Sequence, residues 1–271
     1  MPSHPTPSAP APRFRPFARG ALPALALALI FLHGGLLMAD PVASVPFEYR
    51  FTAGQELVYQ VSVRGKVEVA LPDGSRANPI QIDMRILQRT AEVGPRLATM
   101  VMTIESARVT QDGQEGPLPE EGQKSMLTID RRGFIEFLSG AGGWQGSEFA
   151  QMQFPEKALA VGDSWVQEAL TQSQPPVRTR TRYTFTGFAP FGARTCAAFD
   201  AELLLADGGG APGQPGPVSK GRTLFDPALG QVVLTEVDSR FAFPVPIPDQ
   251  PGVTVTTTTT IRTVMRLTET R

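Results

Sequence analysis

From Phe47 to the C-terminus, apolar and polar residues alternate nearly one for one, and a period of two confines the chain to β-strands. Leu57, Tyr59, Val61 and Val63 alternate with Val58, Gln60, Ser62 and Arg64. Ile80, Ile82, Met84 and Ile86 alternate with Gln81, Asp83 and Arg85. Turn-forming clusters punctuate the pattern at Pro72 to Ser75, Gly94 to Arg96, an acidic loop over 111–122, Asp130 to Gly133, and a Gly/Pro-rich loop over 207–217. Met100, Met102 and Ile104 share one face of the strand expected over 97–109. Later strands are expected over 164–170, 177–188, 195–206, 221–225, 232–243 and 253–267, and one short helix around Glu148 to Gln153 before Pro155. The fold class is all-β with that single helix: a curved antiparallel meander or half-barrel of about 10–11 strands.

The strands fall into two related halves, approximately 47–140 and 154–245, followed by a final strand over 253–268. Ala53-Gly54-Gln55-Glu56-Leu57-Val58 resembles Val161-Gly162-Asp163-Ser164-Trp165-Val166, and the turn at Asp130 to Gly133 resembles that at Asp226 to Gly230. If Ile86 pairs near Ile104, Arg85 lies opposite Glu105, and the same geometry sets Arg182 opposite Glu202.

Residues 1–39 read as an export signal. A basic, Pro-rich start with Arg13, Arg15 and Arg19 precedes the apolar run Ala21 to Leu32, and Leu37-Met38-Ala39 offers a cleavage site. The alternative is an uncleaved N-terminal anchor. Residues 40–271 then form a single β-rich domain, periplasmic or extracellular, with membrane contact only through the signal if it stays attached.

Composition narrows the chemistry. There are 2 histidines, His4 and His33, both in the signal, and 1 cysteine, Cys196. A histidine base and a His/Cys metal site are therefore absent from residues 40–271, and no internal disulfide can form. Lysine plus arginine number 25 against 26 acidic residues, which argues against a nucleic-acid surface. Carboxylate pairs such as Asp200 and Glu202 are explained by cross-strand ion pairing. No catalytic residue, metal or cofactor is assigned, and the chain is not expected to be an enzyme.

Two side-chain groups remain. Ile82, Met84, Ile86, Met100, Met102 and Ile104 build a soft apolar face suited to a hydrophobic ligand, or to an ordinary sheet core. Arg178, Arg180 and Arg182 form a basic stripe about 13–14 Å long, able to hold an anionic group unless neighbouring carboxylates neutralise it.

The phrase from Phe154 through Pro155 to Val161-Gly162-Asp163-Ser164-Trp165 resembles a fingerprint of secreted bacterial β-proteins in which Val-Gly-Asp-x-Trp opens a strand. Gly221 to Val233 is similar to their later hairpin. The resemblance implies no activity and no site residues. A strongly curved meander also looks like the half-barrels of periplasmic lipid and lipoprotein carriers, at the level of architecture. The functional expectation is a non-catalytic cell-envelope protein binding a hydrophobic or amphipathic ligand such as a lipid. The alternative is a structural or protein-interaction module with an envelope protein partner.

Overall fold

The structure, a computed structural model, describes residues 43–71, 74–111, 113–117, 121–139, 151–170, 178–205, 218–246 and 254–271. The expected signal over 1–39, the Gly/Pro-rich loop over 207–217 and residues 148–150 of the expected helix lie outside them. Gln151 to Gln153 carry no helix, and the described residues are all-β. Pro155 fits this outcome, since the residue before a proline is driven out of the helical region.

In chain order the strands are β1 (Glu56–Leu71), β2 (Gly74–Val93), β3 (Leu97–Gln111), β4 (Gln114–Pro117), β5 (Lys124–Asp130) and β6 (Ile135–Ser139). The second half supplies β7 (Ser164–Leu170), β8 (Arg178–Phe191), β9 (Arg194–Leu205), β10 (Ser219–Asp226), β11 (Gln231–Pro246) and β12 (Thr254–Thr270). They form one open antiparallel sheet in the order β6-β5-β3-β2-β1-β12-β11-β10-β9-β8-β7, with β4 pairing β3 off this path. The acidic loop over 111–122 thus contains a strand that the turn-rich sequence concealed.

Each half is a meander, and β12 joins them. It pairs with β1 from Leu57↔Thr270 to Val69↔Thr257. On its other side it pairs with β11 from Leu234↔Arg266 to Pro246↔Thr254. Both expected ion pairs form: Arg85 Nε lies 2.7 Å from Glu105, beside a bulge, and Arg182 lies 3.1 Å from Glu202 in direct register.

The two halves also open alike. The Gly54 N–H donates to Thr90 O and the Thr90 N–H to Gln55 O. In the second half the Gly162 N–H donates to Phe185 O and the Phe185 N–H to Asp163 O. Asp163 accepts from the Ala160 N–H at 3.1 Å, and Trp165 Nε1 donates to Gln153 O at 2.7 Å. The Val-Gly-Asp-Ser-Trp phrase is therefore a capped turn with its indole tied back to the incoming chain.

The core is completed by two segments outside the sheet. Phe47, Tyr49 and Phe51 alternate like a strand, yet the segment 43–51 only bridges Leu159 through Val45 and otherwise crosses two turns. The Tyr49 N–H donates to Arg131 O, and the Arg50 N–H to Gly230 O. Phe47, Tyr49, Met152, Phe154 and Leu159 then pack onto Tyr183, Phe185, Phe199 and Phe225. Phe154 and Phe225 meet edge to face at 4.9 Å. Burial pushes the phenol ionisation of Tyr49 and Tyr59 well above the ordinary tyrosine range.

Two glycines permit this closure. Gly133 has φ +91°, and an added Cβ would lie 2.5 Å from Met152 O and 2.7 Å from the Tyr49 ring. Gly230 has φ +68°, and its Cβ would lie 2.5 Å from the Arg50 backbone nitrogen. Both turns therefore need the smallest residue twice over, for conformation and for space.

Candidate functional site

Paired residues in a sheet share a face, so register defines the surfaces. One line of direct pairs runs Tyr183, Ala201, Gly221, Val237, Thr263, Val63, Ile82 and Val109, from β8 across to β3. The next runs Thr181, Leu203, Ser219, Ser239, Ile261, Gly65 and Ile80. This is the same face that bears Phe185 and Phe199, and we call it the inner face.

The inner face is treated differently along the strands. Near the 43–51 segment it is sealed. Ala98, Met100, Leu127 and Ile129 are buried against Phe51 and Met102. Leu57, Tyr59, Val61, Ile86 and Leu267 join Cys196, Ala198, Leu224 and Leu234, which lie on the outer face of β9 to β11. The Tyr59 hydroxyl donates to Val232 O at 3.0 Å. The sheet thus curls over itself here instead of closing edge to edge.

Farther along the strands the face is apolar but uncovered. Val67, Ile80, Ile82, Val109, Val237, Phe241 and Ile261 are half-buried and belong to none of the three buried clusters. The two segments that cover the sheet elsewhere, 43–51 and 151–160, pack at the other end. Thr257 and Thr259 point inward with Val255 and Ile261, while Thr256 and Thr260 are exposed on the outer face.

The six apolar residues singled out from sequence all lie on this inner face of β2 and β3. They divide into two environments. Ile86, Met100 and Ile104 are 2%, 1% and 4% exposed and serve the core. Ile82, Met84 and Met102 are half-buried, and Ile82 belongs to the uncovered region. Sequence reasoning did not single out Val67, Val109, Val237 or Ile261 for this surface. Their alternation was visible, but register places them: Val109 pairs directly with Ile82, Val67 lies on neighbouring β1, and β12 sets Ile261 and Val237 alongside.

The basic stripe lies on the outer face. Arg178, Arg180 and Arg182 are exposed; Arg180 pairs with Glu168 at 3.0 Å and Arg182 with Glu202 at 3.1 Å. Cross-strand carboxylates thus neutralise two of its three charges.

Two concavities were not foreseen. A cleft of about 270 Å³ is lined by Arg50, Arg96 and Arg131 together with Glu48, Tyr49 and Leu97. Its three arginines come from three separate segments, and Glu48 sets a carboxylate beside them. A smaller pocket of about 20 Å³ lies on the inner face between β8 and β11, lined by Thr181, Tyr183, Leu203, Ser219, Thr223 and Thr235. Among the described residues no group of His, Cys, Asp or Glu side chains could hold a metal ion.

No family model matches the chain, and no curated protein matches it. Solved structures give distant likenesses. A structure of lipovitellin, described by its lipid–protein interactions, has 9% identity and a TM-score of 0.40, covering 82% of this chain and 26% of that one. This chain thus spans about a quarter of that protein's length. A protein from Bacteroides fragilis described as exported, with a YmcC-like fold, has 10% identity and a TM-score of 0.31, covering 83% and 99%. A domain from Vibrio parahaemolyticus assigned to outer membrane lipoprotein sorting has 9% identity and a TM-score of 0.14, covering 78% and 84%. At these scores none of them bears on what this chain does.

Proposed function

We propose that this is an exported cell-envelope protein that binds a hydrophobic or amphipathic ligand without transforming it. The observation that carries the reading is the uncovered apolar stretch of the inner face, where Ile80, Ile82, Val109, Val237 and Ile261 lie on two adjoining register lines. Elsewhere the same face is covered by the chain's own aromatic segments. Apolar surface left in water costs about 25 cal/mol per Å², so covering it favours an apolar occupant.

The test is displacement of a fluorescent apolar probe from the purified protein, with native mass spectrometry beside it. Ile82→Asp and Ile261→Asp are expected to abolish binding while keeping cooperative unfolding. Val166→Asp, at a residue 51% exposed on β7, is expected to leave binding unchanged. A bare protein mass with no probe uptake, even after incubation with envelope lipids, moves the assignment to a protein-interaction module.

A further inference from the structure

We infer that the ligand carries an uncharged hydrogen-bonding group, a hydroxyl or ester, which docks in the small hydroxyl-lined pocket between β8 and β11. This inference rests on the apolar-face reading and specifies its ligand class.

The deciding atom is Thr235 Oγ1. Thr235 is 5% exposed, and its hydroxyl is buried with no hydrogen-bond partner. A buried polar atom left unpaired is costly, and native structures rarely tolerate one without a role. Thr235 lines the pocket together with Thr181, Tyr183, Ser219 and Thr223. The Ser219 hydroxyl is already used, donating to Ser239 at 2.8 Å.

Position ties this pocket to the apolar face. Gly221 and Val237 line it, and their register line continues through Thr263 and Val63 to Ile82. From Gly221 on β10 to Ile82 on β2 is four strand spacings, about 19 Å. A chain-like ligand lying across the strands reaches from one to the other. The pocket's volume of about 20 Å³ admits roughly one water-sized group.

Charge narrows the class. Lys220 also borders the pocket, but its Nζ lies 3.5 Å from Glu202, which faces the opposite side of the sheet with Arg182. No other charged residue lines the pocket. A carboxylate or phosphate entering there loses hydration and meets no counter-charge on the inner face, whereas a hydroxyl or ester exchanges a hydrogen bond with Thr235.

The experiment titrates the full chain with 1-monooleoylglycerol and with oleate at pH 8, below their aggregation concentrations, by displacement of the apolar probe. The wild type is expected to prefer the monoglyceride about tenfold, the worth of one well-made hydrogen bond. Thr235→Val removes the hydroxyl at constant shape, so it is expected to erase the preference, leave oleate binding unchanged and not lower the melting temperature. Thr235→Ser keeps the hydroxyl and is expected to keep the preference, which tests the hydroxyl directly if Thr235→Val fails to fold. Equal affinity for both lipids, unaffected by either variant, overturns the inference, with the pocket then holding only water, while leaving the apolar-face reading intact. Failure of both lipids to bind overturns the two together.

Discussion

Arg85 shows how single residues are used on this sheet. Its guanidinium reaches Glu105 on one side at 2.7 Å and Glu269 on the other at 2.8 Å, so it ties β3, β2 and β12 across the intervening β1. The hydrogen bond from Arg85, then that from Arg271, holds the Glu269 carboxyl below the usual glutamate range. A depressed pKa contributes stability that is present above the ordinary glutamate value and lost as pH falls through the folded one. The wild-type melting temperature is therefore expected to fall more steeply than that of Glu269→Gln below about pH 4.3, measured by thermal scans from pH 7 to pH 3. Cys196 is the opposite case. It is fully buried, and burial, then the Asp226 charge, pushes its thiol pKa up. It is expected to resist a thiol reagent in the native protein and to react fully in denaturant, in an alkylation time course followed by mass. Asp226 itself is legible from sequence as a turn residue. Its acceptance of the Ala228 and Leu229 N–H groups belongs to that turn, while its burial and its 2.6 Å contact with Arg194 are tertiary facts.

At the scale of elements, the segment 43–51 is the least foreseeable piece. Its alternation of Phe47, Tyr49 and Phe51 reads as a strand, yet its backbone spans two turns and its rings fill the sheet's hollow. Periodicity reports which side chains share a face; it does not say whether a neighbouring strand is available to pair. Phe47→Ala is expected to cost about 3–5 kcal/mol as a core cavity, and Tyr49→Phe about 1 kcal/mol for the lost bond to Met152 O. Gly230→Ala is expected to cost on the order of 2–4 kcal/mol, because the positive φ and the contact with Arg50 act together. Urea unfolding of the three variants checks all of these values. The short helix expected before Pro155 illustrates the same limit. Gln151 to Gln153 carry no helix, and the Met152 carbonyl accepts from Tyr49 and the Gln153 carbonyl from Trp165 instead.

For the whole molecule, β12 decides the architecture. It is the last strand in sequence and a central one in the sheet, satisfying the inner edges of both meanders. Truncation after residue 253 would leave β1 and β11 as long open edges, which invite pairing with other chains. The truncated protein is expected to lose cooperative unfolding and to aggregate, as read by calorimetry and light scattering. The same strand creates the proposed binding surface, since Thr263 and Ile261 bridge Val63 and Gly65 of the first half to Val237 and Ser239 of the second.

Strand alternation, most of the turns, the similar opening bonds at Gly54 and Gly162, the two cross-strand ion pairs and the absence of histidine from residues 40–271 are legible in the sequence. All of these are local or fixed by the two-residue period of a strand, which chain chemistry dictates without reference to distant partners. The sequence also placed Ile82, Met84 and their four neighbours on one face. Which of them are sealed follows from long-range packing, because sealing depends on Phe51, Tyr59 and the curl of β9 to β11, residues remote in sequence. The tertiary structure alone made an unpartnered atom of the Thr235 hydroxyl, since hydrogen-bond satisfaction is a property of the assembled neighbourhood and not of the residue.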